Sequence, residues 1–186
     1  MEQSLTCNGD YLRILLLSVP LIFGGVIHMF AVKKNILSYF NKPIHQRWFG
    51  QNKTWRGFFI MPLATFPGVI VSRQLEMIFD INGQVFTQHS PVLIAVLLGL
   101  GYCLAELPNS YVKRRLGVKE GQTSKNYKWM FIIIDQADSA FGCLFAYKLI
   151  APISWMLFWK TVAFGTCLHL LINILLFKAK MRKSPY

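Results

Sequence analysis

Five apolar runs separated by short basic segments constrain this chain more than any other feature. A bilayer core offers backbone groups no hydrogen-bond partners, so runs of ~20 apolar residues cross it as helices. The runs fall at about 12–32, 58–78, 91–107, 129–150 and 153–177. The second is clear only to Val71 and holds Pro62 and Pro67, so a kink or an extension toward Ile78 is expected. Only Ala151-Pro152 separates the last two, which implies a tight helical hairpin. Of the 186 residues, 54% are apolar and 15% charged, against ~25% charged in soluble domains. The expected fold is therefore all-α: one polytopic membrane domain over 1–186, with about five spans and no separate soluble domain.

The first run does not resemble a cleaved secretory signal. It follows Glu2 and Asp10, has only Arg13 for positive charge, and leads into Lys33-Lys34 with no small-residue cleavage site. It reads as a retained span. Cys103, Cys143 and Cys167 lie inside apolar segments and Cys7 stands alone. Without C-x-x-C spacing they read as small apolar side chains rather than a disulfide or zinc framework.

The basic residues set the orientation. Loop 33–57 carries Lys33, Lys34, Lys42, Arg47, Lys53 and Arg56. Loop 108–128 carries Lys113, Arg114, Arg115, Lys119, Lys125 and Lys128, and the tail carries Lys178, Lys180, Arg182 and Lys183. These sixteen of twenty basic residues share one side of a five-span protein. Glu2, Asp10, Glu76 and Asp80 fall on the other, with Arg73 the basic exception. The positive-inside rule makes both basic loops and the C-terminus cytoplasmic and puts the N-terminus outside, in a plasma or cytoplasmic membrane. Anionic lipid is the simplest partner for such a face. Nucleic acid is not an expected partner.

Three carboxylates break the apolar pattern. Asp135 and Asp138, three residues apart on one helical face, and Glu106, at the end of the third span, lie at similar depth on the basic side. Each carboxylate costs ~3 kcal/mol at a bilayer centre. Intramembrane acids of this kind face a polar cavity, a cation or basic partners. Hard oxygen ligands suit Mg²⁺ held jointly by protein carboxylates and substrate phosphates. A buried ion-pair network with nearby lysine or arginine is the structural alternative.

Two basic segments sit beside these acids. Gly50-Gln51-Asn52-Lys53-Thr54-Trp55-Arg56-Gly57 places Asn52, Lys53, Thr54 and Arg56 at the start of the second span. The unpaired N–H groups there favour an anion, and an interfacial anchor built on Trp55 is the alternative. Asn109-Ser110-Tyr111-Val112-Lys113-Arg114-Arg115 follows the third span. If that span continues as helix, Glu106, Ser110, Lys113 and Arg114 share a ridge. His169 and Asn173, one turn apart in the last span, read as an interhelical hydrogen-bonding pair, and His28 as a packing residue. His45, in a basic loop, is open to a phosphate contact.

The order G-x-N-K-T-W-R-G, then Glu106 with Ser110-x-x-Lys113-Arg114-Arg115, then Asp135-Gln136-x-Asp138, resembles CDP-archaeol synthases, relatives of the CDP-diacylglycerol synthases. Pro43-Ile44 adds to the likeness, which runs from about Gly24 to the end. Those enzymes usually have Gly-Asp where this chain has Ala105-Glu106, an acid at Gln51, a lysine at Asn109 and an aspartate at His45.

The resemblance implies a CTP-dependent cytidylyltransferase that joins CTP to an archaetidic-acid-like or phosphatidic-acid-like lipid phosphate and uses Mg²⁺. For that reaction the residues read as metal ligands at Glu106, Asp135 and Asp138, and as phosphate-binding groups at Asn52, Lys53, Thr54, Arg56, Ser110, Lys113 and Arg114. Lys53, Lys113, Arg114, Asp135 and Asp138 would carry the catalysis. A homodimer that closes the cavity fits a bundle of this size. The alternatives are an ion-coupled transporter or channel, a CDP-alcohol phosphatidyltransferase, and an inactive relative that keeps the fold. No inverted repeat supports the transporter, and the D-G and A-R parts of a phosphatidyltransferase array are missing near Asp135.

Overall fold

The computed structural model describes residues 2–80, 85–122 and 127–181, with side chains from Asp10 onward. Lys125, Arg182 and Lys183, counted above among the basic residues, lie outside the described residues. The elements are α1 (Glu2–Lys33), a 3₁₀ turn (Ser38–Phe40), α2 (Gln46–Phe49), α3 (Trp55–Ile78), α4 (Pro91–Arg115), α5 (Lys128–Lys148) and α6 (Trp155–Lys178). Five of them are long and apolar enough to span a membrane: Asp10–Lys33 of α1, then α3, α4, α5 and α6. From 28% of the apolar window in α6 to 50% in α5 is buried inside the protein. Much of the remainder is exposed apolar surface, such as Leu63, Ile133 and Leu171, an arrangement that lipid tolerates and water does not.

Packing joins the spans into a closed ring. α1 packs on α3, α3 on α4, α4 on α5, α5 on α6, and α6 returns to α1. Apolar side chains give no net drive for helix association in lipid, so close packing of small residues must supply it. Gly101 of α4 and Gly142 of α5 meet so closely that a Cβ on Gly142 would lie 2.2 Å from the Gly101 carbonyl oxygen. The Ser72 hydroxyl of α3 donates to the Leu16 carbonyl of α1 at 2.8 Å.

Element bounds differ from the sequence reading in two instructive places. α3 begins at Trp55 and runs unbroken through Pro62 and Pro67 to Ile78. The Thr65 hydroxyl lies 3.0 Å from the Met61 and Ala95 carbonyls and 3.1 Å from that of Pro62, so polar contact with α4 supports this proline-containing stretch. α4 continues through Pro108 as far as Arg115, which turns the conditional ridge into a real one.

At the end of the bundle away from the basic loops, residues 85–87 fold onto the core. Glu76, grouped above with the outside acids, is 2% exposed and accepts the N–H groups of Phe86 and Thr87 at 2.8 Å and that of Val85. The Tyr147 hydroxyl donates to the Val85 carbonyl, and Phe86 is fully buried. Asp10 and Lys160 pair at 3.4 Å near this end, so α1 and α6 run in the same direction.

Candidate active site

The segment between the 3₁₀ turn and α3 folds back on itself at the opposite end. An isolated bridge joins Pro43 and Thr54, with the Ile44 N–H donating to the Lys53 carbonyl at 2.9 Å and the Trp55 N–H to the Lys42 carbonyl at 3.1 Å. α2 lies within this fold and packs on α4, where the Arg115 guanidinium donates to the Arg47 carbonyl at 3.0 Å. Gly50 closes the fold with φ 86°, a conformation that favours glycine, and a Cβ there would lie 2.7 Å from Glu120 Cγ. Thr54 takes the N-cap position of α3 without a side-chain capping bond.

These elements enclose a cavity of about 940 Å³, near the upper end of the ~300–1,000 Å³ range of ligand pockets. It is lined by Asn52, Lys53 and Thr54 from the segment leading into α3 and Arg56 from its first turn, by Glu106, Ser110, Lys113 and Arg114 from α4, and by Asp135 and Asp138 from α5. All ten residues singled out in the sequence therefore face one space. The spacing explains this for α4, where Glu106, Ser110, Lys113 and Arg114 recur on one helical face.

The charges inside are largely matched. The Lys53 ammonium pairs with Glu106, and the Lys113 ammonium donates to both oxygens of Asp135. Asp138 receives hydrogen bonds from the Ser139 N–H at 2.7 Å and from Asn109 at 2.8 Å. Arg56 is 7% exposed and donates to Asn35 at 3.3 Å. Nε and Nη1 of Arg114 are buried without a hydrogen-bond partner, and Nη1 lies 3.7 Å from a Glu120 carboxylate oxygen. Burial pulls the Lys53 ammonium toward deprotonation, but the Glu106 carboxylate outweighs it and holds the pKa above the usual lysine value. The Glu120 carboxyl is held below its usual range by backbone hydrogen bonds, its own and that from Gln51, with Arg114 adding to them.

Among the described residues no three His, Cys, Asp or Glu side chains gather tightly enough to hold one ion. Glu106 turns to Lys53, whereas Asp135 and Asp138 each present an oxygen to the same point beside Asn109, at 2.6 and 2.8 Å from its nitrogen. A pair of convergent carboxylates fits Mg²⁺, which commonly takes one or two protein carboxylates and completes its shell with water and phosphate.

Several lining residues had no functional assignment from sequence. His28 comes from α1, Tyr102 from α4, and His169 and Asn173 from α6. The last two do bond across helices: His169 Nδ1 lies 3.2 Å from Ser139 Oγ, and Asn173 donates to Gln136 at 2.6 Å. Polar residues inside apolar spans were the available signal. Leu21, Ile22 and Met29 of α1 with Leu168 and Ile172 of α6 supply an apolar wall. The cavity thus joins a cationic part to an apolar flank.

Comparison with known proteins places the chain in a family. The family profile of CarS-like CDP-archaeol synthases matches residues 41–186. A CDP-archaeol synthase of Methanospirillum hungatei is 30% identical over 150 residues, covering 76% of this chain and 82% of its own. That of Pyrococcus abyssi is 32% identical over 143 residues (76% and 77%), and that of Methanococcus aeolicus 28% over 167 residues (87% and 84%). No solved structure matches the chain significantly. With the matched region holding every cavity residue from α2 to α6, the chain belongs to the CarS-like CDP-archaeol synthase family.

Proposed function

We propose that this protein transfers the cytidylyl group of CTP to a lipid phosphomonoester, forming a CDP-lipid and releasing pyrophosphate. The transporter reading gives way to this one, because it leaves the two phosphate-type segments on one cavity unexplained. The observation that carries the proposal is the cavity itself, which brings basic residues, paired aspartates and an apolar wall together at one end of a membrane bundle.

A lipid phosphate oxygen attacks the α-phosphorus of CTP, and the bond from that phosphorus to the bridging oxygen of the β-phosphate breaks. Both reactants are anions, so the cavity must suppress their repulsion and align them. Lys53, Arg56, Lys113 and Arg114 grip the phosphates and stabilise the departing pyrophosphate. Asn52, Thr54 and Ser110 donate further hydrogen bonds and fix orientation. A phosphate dianion is already nucleophilic, so no side chain needs to remove a proton. Asp135 and Asp138, with Glu106 nearby, would hold Mg²⁺, which supplies charge neutralisation between the reacting phosphates. The apolar wall of α1 and α6 accepts the start of the lipid tails, either isoprenoid ether or acyl ester. The basic end faces the cytoplasm, where CTP is found, and the N-terminus lies outside.

The test is purified protein in detergent with CTP, Mg²⁺ and phosphorylated ether or ester lipids, with products read by mass spectrometry. A CDP-lipid is expected with at least one class. Product formation undiminished in Asp135→Asn and Asp138→Asn would refute the assigned roles of the pair.

A further inference from the structure

Asn109 touches both aspartates of the cavity. Its amide nitrogen donates to Asp135 Oδ1 at 2.6 Å and to Asp138 Oδ2 at 2.8 Å, so both of its hydrogens are committed to carboxylates. An amide oxygen in that place would face two anions, which fixes the orientation of the group. Two carboxylates on one turn of a helix repel each other at low dielectric, and the amide is what draws them to a common point. Among the described residues no third acid or histidine joins them there. Lys113 reaches both oxygens of Asp135, so it can keep Oδ2 when Oδ1 is recruited elsewhere.

We infer that Asn109 is the third protein ligand of a divalent-cation site formed with Asp135 and Asp138, and that its amide serves two states. With no cation its nitrogen bridges the carboxylates. With a cation the same amide, turned end for end, offers its oxygen to the same point. Asparagine is suited to both because it carries a donor and an acceptor on one planar group. Side-chain amide oxygens are ordinary ligands of hard cations. The inference rests on the proposed metal role of the aspartate pair but does not need the transfer reaction to occur.

The probe is Mn²⁺ alone, titrated into the full chain in detergent without nucleotide and followed by loss of the free-ion electron paramagnetic resonance signal. The wild type is expected to show a site that Asp135→Asn and Asp138→Asn each abolish. Asn109→Leu, similar in size but without donor or acceptor, should weaken binding at least tenfold. Asn109→Asp, which replaces the amide by a charged oxygen ligand, should tighten it several-fold. Damage to the fold can only weaken binding, so the opposite signs separate ligation from a structural role. Wild-type affinity in Asn109→Leu, or weakened binding in Asn109→Asp, would overturn the inference. A wild type that forms CDP-lipid yet binds no Mn²⁺ at this pair would overturn it while leaving the transferase reading intact. The expected binding pattern without any CDP-lipid product would refute the transferase reading and uphold this one.

Discussion

Lys53, one residue before the N-cap of α3, forms an ion pair with Glu106 on α4, and this contact fastens the folded basic loop to the membrane-embedded part of the cavity. The pair sets the charge of Lys53. Burial alone would lower its pKa, and Glu106 reverses that. A raised lysine pKa contributes stability in full below its ordinary value of 10.5, which fades as pH rises through the higher folded value. Glu106→Gln removes the raising charge and leaves the burial. The alkaline limb of the pH profile of kcat/KM for CTP should therefore move to lower pH. An unmoved limb would show that Lys53 is not the phosphate-binding cation.

Arg114 is expected to bind phosphate through geometry as well as charge. Arg114 lines the cavity, its Nε and Nη1 make no hydrogen bond, and a guanidinium fork can hold two phosphate oxygens where an ammonium cannot. Hydrogen bonds to charged groups contribute ~1.5–3 kcal/mol, so Arg114→Lys should reduce kcat/KM for CTP roughly 10- to 100-fold. Steady-state kinetics over a range of CTP concentrations tests this.

Gly142 controls the approach of α5 to α4 one helical turn beyond Asp138. A Cβ there would meet the Gly101 carbonyl oxygen at 2.2 Å and the Ala105 Cβ at 2.3 Å, and the carbonyl belongs to rigid backbone. Gly142→Ala is expected to cost about 1–3 kcal/mol through overpacking. It should also lower activity, because the helices that hold Asp138 and Asn109 are forced apart. Thermal unfolding in detergent alongside the CTP assay reads both effects.

Glu76 offers the contrasting case. It satisfies three backbone N–H groups at the end of the bundle remote from the cavity. Glu76→Ala leaves them unpaired at ~1–3 kcal/mol for each buried group. The expected outcome is a lowered unfolding temperature with KM for CTP unchanged in the fraction that stays folded.

The spans and their shared basic end were legible because they depend on local composition. Asp135 and Asp138 were legible because acids in an apolar helix are costly and need a reason. The ridge from Glu106 to Arg114 was legible only on condition that α4 continued through Pro108, and packing of that segment against α5 and α2 decides this. Which side chains answer each other was not legible. The pairs Lys53–Glu106 and Lys113–Asp135, and the bridge made by Asn109, arise where different helices meet. No periodicity along one helix encodes its neighbour. The same holds for His28, read from sequence as a packing residue, and His169, read as an interhelical hydrogen-bonding one, which line the cavity because the ring brings α1 and α6 to it. Glu76 lies at the end remote from the basic loops, as its place in the chain implies, but its burial under the 85–87 segment is a tertiary event that the sequence does not encode.

The central claim is that phosphate chemistry occurs in this cavity with CTP as donor. Its most direct test is label transfer in vesicles that contain the purified protein and a phosphorylated lipid, with CTP labelled at either the α- or the γ-phosphorus. The account predicts α-label in the lipid fraction, γ-label in pyrophosphate, and loss of both in Asp138→Asn. Absence of α-label from every lipid phosphate tried, or transfer that persists unchanged in Asp138→Asn, would contradict it.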